Sequence, residues 1–126
     1  VNVSRVDHVN PLAHRDFYLA QKFTLNVTRA DMVRAGFSPS VRLFEAAGCG
    51  VPIISDYWNG IEEFFNIGTE VLISRSADQT LEYIRDLPDK DRLAIGESAR
   101  LRALAGHTAA HRARELVGYI TEMKRK

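Results

Sequence analysis

Among its 126 residues the sequence has one cysteine, Cys49, so no intrachain disulfide can form and a secreted cystine scaffold is excluded. Long apolar runs are missing: nothing approaches the roughly 20 residues that cross a bilayer, and the opening residues do not read as a signal peptide. Excess charge is missing too. The 17 Lys and Arg against 16 Asp and Glu leave a formal net charge of +1, which is no nucleic-acid signature. No internal repeat, low-complexity segment, Walker loop or serine nucleophile elbow occurs. His107 and His111 stand four apart, but no Glu follows His107 and no third ligand is near, so no metal is expected. What remains is 45 % hydrophobic and 26 % charged, enough to close one core without cross-links in a chain expected in the cytoplasm.

The charge is unevenly spread. Residues 1–91 hold 9 Lys/Arg and 13 Asp/Glu, whereas residues 92–126 hold 8 and 3. The basic end reads as the wet face of helices, with an anionic surface as the second option. The chain opens on Val1 rather than Met, as expected of a processed protein or a piece of a longer one.

Short apolar runs alternate with helical patterns. Val3 to Val9 reads as a weak strand. Asn10-Pro11 caps a short helix over Leu12 to Gln21. Phe23 to Thr28 alternates apolar with polar and reads as a strand, followed by a loop from Arg29 to Phe37. Ser38-Pro39 repeats the cap-then-proline pattern before a helix from Ser40 to Ala47, which Gly48 ends. Val51 to Ser55 is a continuous apolar run, expected of a strand covered on both faces. Ile61 to Asn66 reads as a short helix and Glu70 to Ser74 as a further strand. Ser76 with Gln79 forms a capping box for a helix that Pro88 ends near Leu87. A second helix runs from Asp89 to Gly106. Thr108 caps a last one, whose stripe of Ala113, Leu116, Val117, Ile120 and Met123 reads as core packing.

Strands alternating with helices predict an α/β fold with a Rossmann-like parallel sheet of about four strands and right-handed crossovers. Ligands in such sheets bind beyond the carboxyl ends of the strands. That rule singles out two loops, Arg29 to Ser40 and Asp56 to Glu63.

The helix opening at Ser38 and Ser40 follows a strand and a loop, so it faces that edge. Its first amides lack internal partners and carry the positive end of the helix dipole, which suits a phosphate. Arg42 in the first turn adds a charged fork, or else pairs with Glu45 or solvent. Glu45 stands in an otherwise apolar helix, where it either accepts two hydroxyls of a ribose or faces water. Gly48-Cys49-Gly50 follows a helix rather than preceding one, so it is a tight turn and not a phosphate loop, with Cys49 a small buried apolar residue. Trp58, beside Asp56, Tyr57 and Asn59, either stacks on a base or sugar or packs against a neighbouring domain.

Taken together, SPSVRLFEAAGCGVPIISD, then NGIEEFF and GTEVLI, form a pattern over about residues 9 to 120. It resembles the C-terminal, nucleotide-sugar-binding domain of GT-B glycosyltransferases, closest to the spore-maturation CgeB-like branch. The stretches Gly106-His107-Thr108 and His111-Arg112 also resemble that branch. The resemblance implies that Glu45 holds the donor ribose and that the helix start at Ser38 and Ser40 meets the diphosphate. It also implies that Gly60 to Glu63 borders the donor pocket, which makes Gly60 and Glu63 further donor-binding candidates. Arg42 as a phosphate ligand follows from its position alone. The family places another acidic residue on this loop, with seven residues between it and the ribose glutamate. Here that position is Phe37, so sugar recognition by that route is not available.

The resemblance further implies a single domain over residues 1–126, the C-terminal fragment of a two-domain hexosyltransferase-type enzyme. A missing N-terminal Rossmann-like domain would supply the catalytic base and the acceptor contacts, and the fragment alone would be inactive. No cofactor is expected beyond the nucleotide-diphosphate sugar as donor substrate, and no nucleic-acid partner. The edge of the Phe23 to Thr28 strand would be bare, so Val3 to Val9 is expected to move alongside it, or two copies to dimerise there. The alternative function is a non-catalytic nucleotide-sugar-binding or protein-interaction module of the same fold. A flavodoxin-shaped switch domain would want an acidic cluster at the ends of its early strands, and none is evident.

Overall fold

The computed structural model describes residues 3–125. Three short parallel strands form the sheet: β1 (Thr24–Asn26), β2 (Ile53–Ser55) and β3 (Leu72–Ile73), in the order β1-β2-β3. Thr24 stands opposite Ile53 and Asn26 opposite Ser55, while Ile54 stands opposite Leu72. The described residues also form six α-helices: α1 (His14–Leu19), α2 (Ala30–Ala35), α3 (Val41–Gly48), α4 (Ala77–Asp86), α5 (Asp89–Gly106) and α6 (Ala109–Arg125). Single 3-10 turns occupy Pro11–Ala13 and Ile61–Glu63. The protein is thus α/β and Rossmann-like, with three strands rather than four.

The central strand explains the packing. Ile53, Ile54 and Ser55 are all buried, so β2 is covered on both faces, as its apolar run predicts. One face carries Leu43, Ala46 and Ala47 of α3, Tyr18 of α1, Ala99 and Ala103 of α5, together with Trp58, Ile61 and Phe65. The other carries Ile54 and Leu72 under Ile95, with Tyr83 and Leu87 packed alongside. α3 and α5 pack together with small residues between them. A Cβ on Gly96 would fall 2.2 Å from the Gly50 carbonyl oxygen, so only glycine lets α5 approach the turn after α3.

Capping follows sequence in three places. Asn10 Oδ1 accepts from the Leu12 amide at 3.0 Å. Ser76 Oγ accepts from the Gln79 amide at 3.1 Å, while Gln79 Oε1 reaches back to the Arg75 amide at 2.9 Å. Thr108 Oγ1 accepts from the His111 amide at 3.4 Å.

Other elements differ from expectation. Val3 to Val9 forms no strand and does not lie alongside β1, which remains an edge. Its valines recur every three residues at Val3, Val6 and Val9, so no pleat face collects them, and Val3 and Val6 stay exposed. The expected loop from Arg29 to Phe37 contains α2, which Gly36 closes at φ 64°. Asp31 in its first turn and Arg34 in its last match the helix dipole. The helix expected over Ile61 to Asn66 is only the 3-10 turn Ile61–Glu63. The stripe Ala113, Leu116, Val117, Ile120 and Met123, expected to be core, is exposed: α6 buries no residue.

Candidate functional site

The carboxyl ends of the strands lead into the loops at 27–40, 56–63 and 74–76, and these loops are stitched together. The Phe37 amide donates to the Asn59 carbonyl at 2.7 Å. Phe37 takes φ 49°, an uncommon value for a non-glycine residue. Its ring lies where a Cβ on Gly60 would be, 2.4 Å away, and Gly60 itself is at φ 99°. The Phe37 and Gly60 pair therefore locks the loop before α3 against the loop after β2. The helix that follows begins at Val41, one residue after the Ser40 start expected from sequence, and the residue in the cap position is Ser40 rather than Ser38.

Neither serine caps the helix. Ser40 makes no side-chain capping bond, and among the described residues neither Ser38 nor Ser40 uses its hydroxyl in a hydrogen bond. The first amides of α3 are left for another acceptor. Arg42, in the first turn, is exposed and makes no ion pair among the described residues, so the pairing with Glu45 considered from sequence is not formed.

Glu45 is turned toward α1. His14 and Tyr18, four apart on one face of α1, both reach it. Tyr18 Oη donates to Glu45 Oε2 at 3.0 Å, and His14 Nδ1 lies 3.6 Å from Oε1. The far ring nitrogen of His14 meets the Val9 carbonyl at 3.0 Å. Burial, then the hydrogen bond to Glu45, pushes the Tyr18 hydroxyl up to about 12, so it stays a donor to the carboxylate. The Glu45 side chain keeps 37 % of its surface accessible, so it is half-buried with one oxygen committed and the other only loosely engaged.

The remaining sequence candidates are spread apart. Gly60 is buried under Phe37. Glu63 is exposed at the end of its 3-10 turn, with its amide on the Gly60 carbonyl at 3.2 Å. The geometry thus groups Ser38, Ser40, Arg42 and Glu45 on one helix and its approach, and leaves Glu63 outside that group.

Trp58 corrects its expectation. It is 1 % exposed, packed among the core residues with its ring centroid 5.9 Å from that of Phe64, and cannot stack on a base or sugar. Its Nε1 is buried without a hydrogen-bond partner among the described residues. Cys49 is half-buried beside the core, and burial raises its thiol. His107 sits against Phe44 and Phe64 with centroids 5.5 and 5.7 Å away, and burial with Arg112 alongside lowers its affinity for a proton. His111 instead binds Thr108 Oγ1 at 2.7 Å, so the two histidines have separate partners.

Sequence reasoning missed two features. One is the pair His14 and Tyr18 behind Glu45, whose signal is only the i, i+4 spacing on a short helix. The other is a cavity of about 550 Å³ lined by Tyr57, Glu62, Arg75 and Gln79 over Ile67 and Ile73. It opens at the same strand edge, on the β3 side. Among the described residues no helix is long and apolar enough to cross a membrane.

Comparison with the curated proteins and with the solved structures finds no match. The model of one family, described as glycosyl transferase-like, matches residues 1–118. That match spans both strand-edge loops and every element from α1 to α5, and with it the parallel α/β sheet has a lineage: the chain belongs to the glycosyl transferase-like family.

Proposed function

We propose that this protein is the donor-binding half of a glycosyltransferase that moves a sugar from a nucleotide-diphosphate sugar to an acceptor. The observation that carries the reading is the uncapped amino end of α3, with Arg42 unpaired beside it and half-buried Glu45 one turn on. In this reading the diphosphate meets the Val41 and Arg42 amides, the Ser38 and Ser40 hydroxyls and the Arg42 guanidinium. Negative charge that develops on the leaving diphosphate is stabilised there by fixed donors. Glu45 accepts a ribose hydroxyl, and Tyr18 holds the carboxylate in place for it. Gly60 keeps the second loop close, and Glu63 borders the pocket from outside. The finer placement belongs to the same proposal: a C-terminal GT-B domain of the CgeB-like branch and of hexosyltransferase type. Its catalytic base would lie in a further Rossmann-like domain. Phe37, where the resemblance calls for an acid, favours the alternative of a nucleotide-sugar-binding module without turnover.

Calorimetric titration tests the site. UDP or GDP is expected to bind and inorganic phosphate to bind far more weakly. Glu45→Ala and Arg42→Ala should each weaken the nucleotide by about tenfold, the effect of losing one charge-assisted hydrogen bond. Wild-type affinity in both variants would remove these residues from the site.

A further inference from the structure

A polar chain at the carboxyl ends of β1 and β2 has no part in the site just described. Asn26 and Ser55 face each other in register and are 1 % and 0 % exposed. Polar side chains buried in a sheet are costly unless bonded, and these bond outward in sequence. Asn26 Nδ2 donates to Ser55 Oγ at 3.0 Å and lies 3.2 Å from Thr28 Oγ1. Thr28 then donates twice to Asp56 Oδ1, from its amide at 3.0 Å and its hydroxyl at 2.8 Å. Ser55 Oγ bonds the Asp56 carbonyl at 2.9 Å and lies 3.4 Å from the same Oδ1.

The whole chain therefore fixes one oxygen of one carboxylate. Asp56 is half-buried, and among the described residues its Oδ2 has no hydrogen-bond partner and its carboxylate no ion pair. Capping the turn at Thr28 needs Oδ1 alone. The second oxygen is left as an acceptor held rigidly beyond two adjacent parallel strands, where ligands of such sheets bind. The Asn59 carbonyl that ties the approach to α3 lies three residues further along the same loop, so Asp56 and the α3 amino end ride on joined supports. A carboxylate repels a diphosphate and accepts from a hydroxyl. The ligand chemistry that suits it is a neutral polyol.

We propose that Asp56 is a specificity-determining residue whose Oδ2 accepts a hydroxyl of the transferred sugar, with Thr28 as its positioning residue. The proposal rests on the nucleotide-sugar reading above. It assigns the sugar to a residue that the sequence did not single out as a ligand.

The test compares each nucleotide with its sugar-bearing form: UDP against UDP-glucose, and GDP against GDP-mannose. Asp56→Asn keeps an Oδ1 for Thr28 and puts a donor where Oδ2 was. For at least one base the wild type is expected to bind the sugar nucleotide more tightly than the bare nucleotide. Asp56→Asn should erase that advantage, a loss of about tenfold, and leave bare-nucleotide affinity and Tm unchanged. Thr28→Val, which keeps the amide bond to Asp56 Oδ1 but removes the hydroxyl bond and so loosens the carboxylate, should lower the same ratio, and it decides the matter if Asp56→Asn does not fold. An unchanged ratio in the variants, or no sugar-dependent advantage in the wild type for either base, overturns the role of Asp56 while the donor site stands. Failure of all four nucleotides to bind the wild type overturns the donor site and this proposal together.

Discussion

α3 and α6 carry the same kind of amphipathic pattern and meet opposite fates. α3 has eight residues and buries Leu43, Ala46 and Ala47 against the sheet and α5. α6 has 17 residues and buries none; Leu116 is 60 % and Met123 76 % exposed. An apolar stripe says that a helix face can be covered; it does not say that this chain covers it. What separates the two is their surroundings. α3 is joined to the central strand by a short turn, and small residues let α5 press on it. α6 follows the break at His107 and Thr108 and has none of its described residues buried.

The comparison can be broken first at its strongest point. Leu43→Ala removes a fully buried side chain and should cost about 2–5 kcal/mol in denaturant unfolding. A loss below about 0.5 kcal/mol would mean that α3 is not the packed helix described here. Tyr18→Phe comes next. It keeps the ring and removes the hydrogen bond to Glu45, so a loss of about 1–2 kcal/mol is expected. Alkaline titration sharpens the same contact. The Tyr18 value rises from 10.0 to about 12 on folding, so the stability tied to it is complete below pH 10 and is lost as pH climbs through about 12. Tyr57 is pushed upward too, by its hydrogen bond to Glu62, so ultraviolet tyrosinate absorbance should show late ionisation to which Tyr18 contributes, and a wild-type profile in Tyr18→Phe would contradict the assignment. Smallest of all, Leu116→Ser in α6 should change stability by no more than about 0.5 kcal/mol. A loss matching that of Leu43→Ala would show that α6 is packed in solution.

Much of the fold can be read from the chain because local and long-range signals agree there. The Ser76 and Gln79 capping box, Pro88 and the apolar run at Val51 to Ser55 each have one physical solution, and the structure adopts it. Agreement fails where the deciding contact is distant in sequence. The start of α3 looks capped at Ser38, yet Phe37 is held by Asn59 and Gly60, more than twenty residues on, and the cap position falls at Ser40. Trp58 lies in an edge loop by position, but Phe64 and the core draw it inward. Val3 to Val9 had the residues of a strand without the period-two placement that gives a strand a buried face. At the site, Glu45 stood out because a carboxylate in an apolar helix needs a reason. Its partners His14 and Tyr18 did not, since nothing local ties them to a residue 27 positions beyond Tyr18. Asp56 stayed hidden for the same cause: its anchor, Thr28, is 28 positions earlier in the chain.

The central claim is that the uncapped amino end of α3, with Arg42 and Glu45, receives a nucleotide diphosphate. Amide chemical shifts followed during a UDP or GDP titration test it most directly. The account expects the largest shifts at the Val41 and Arg42 amides, with smaller ones at Glu45 and Tyr18. Shifts centred instead on Tyr57, Arg75 and Gln79, with Val41 and Arg42 unmoved, would contradict it.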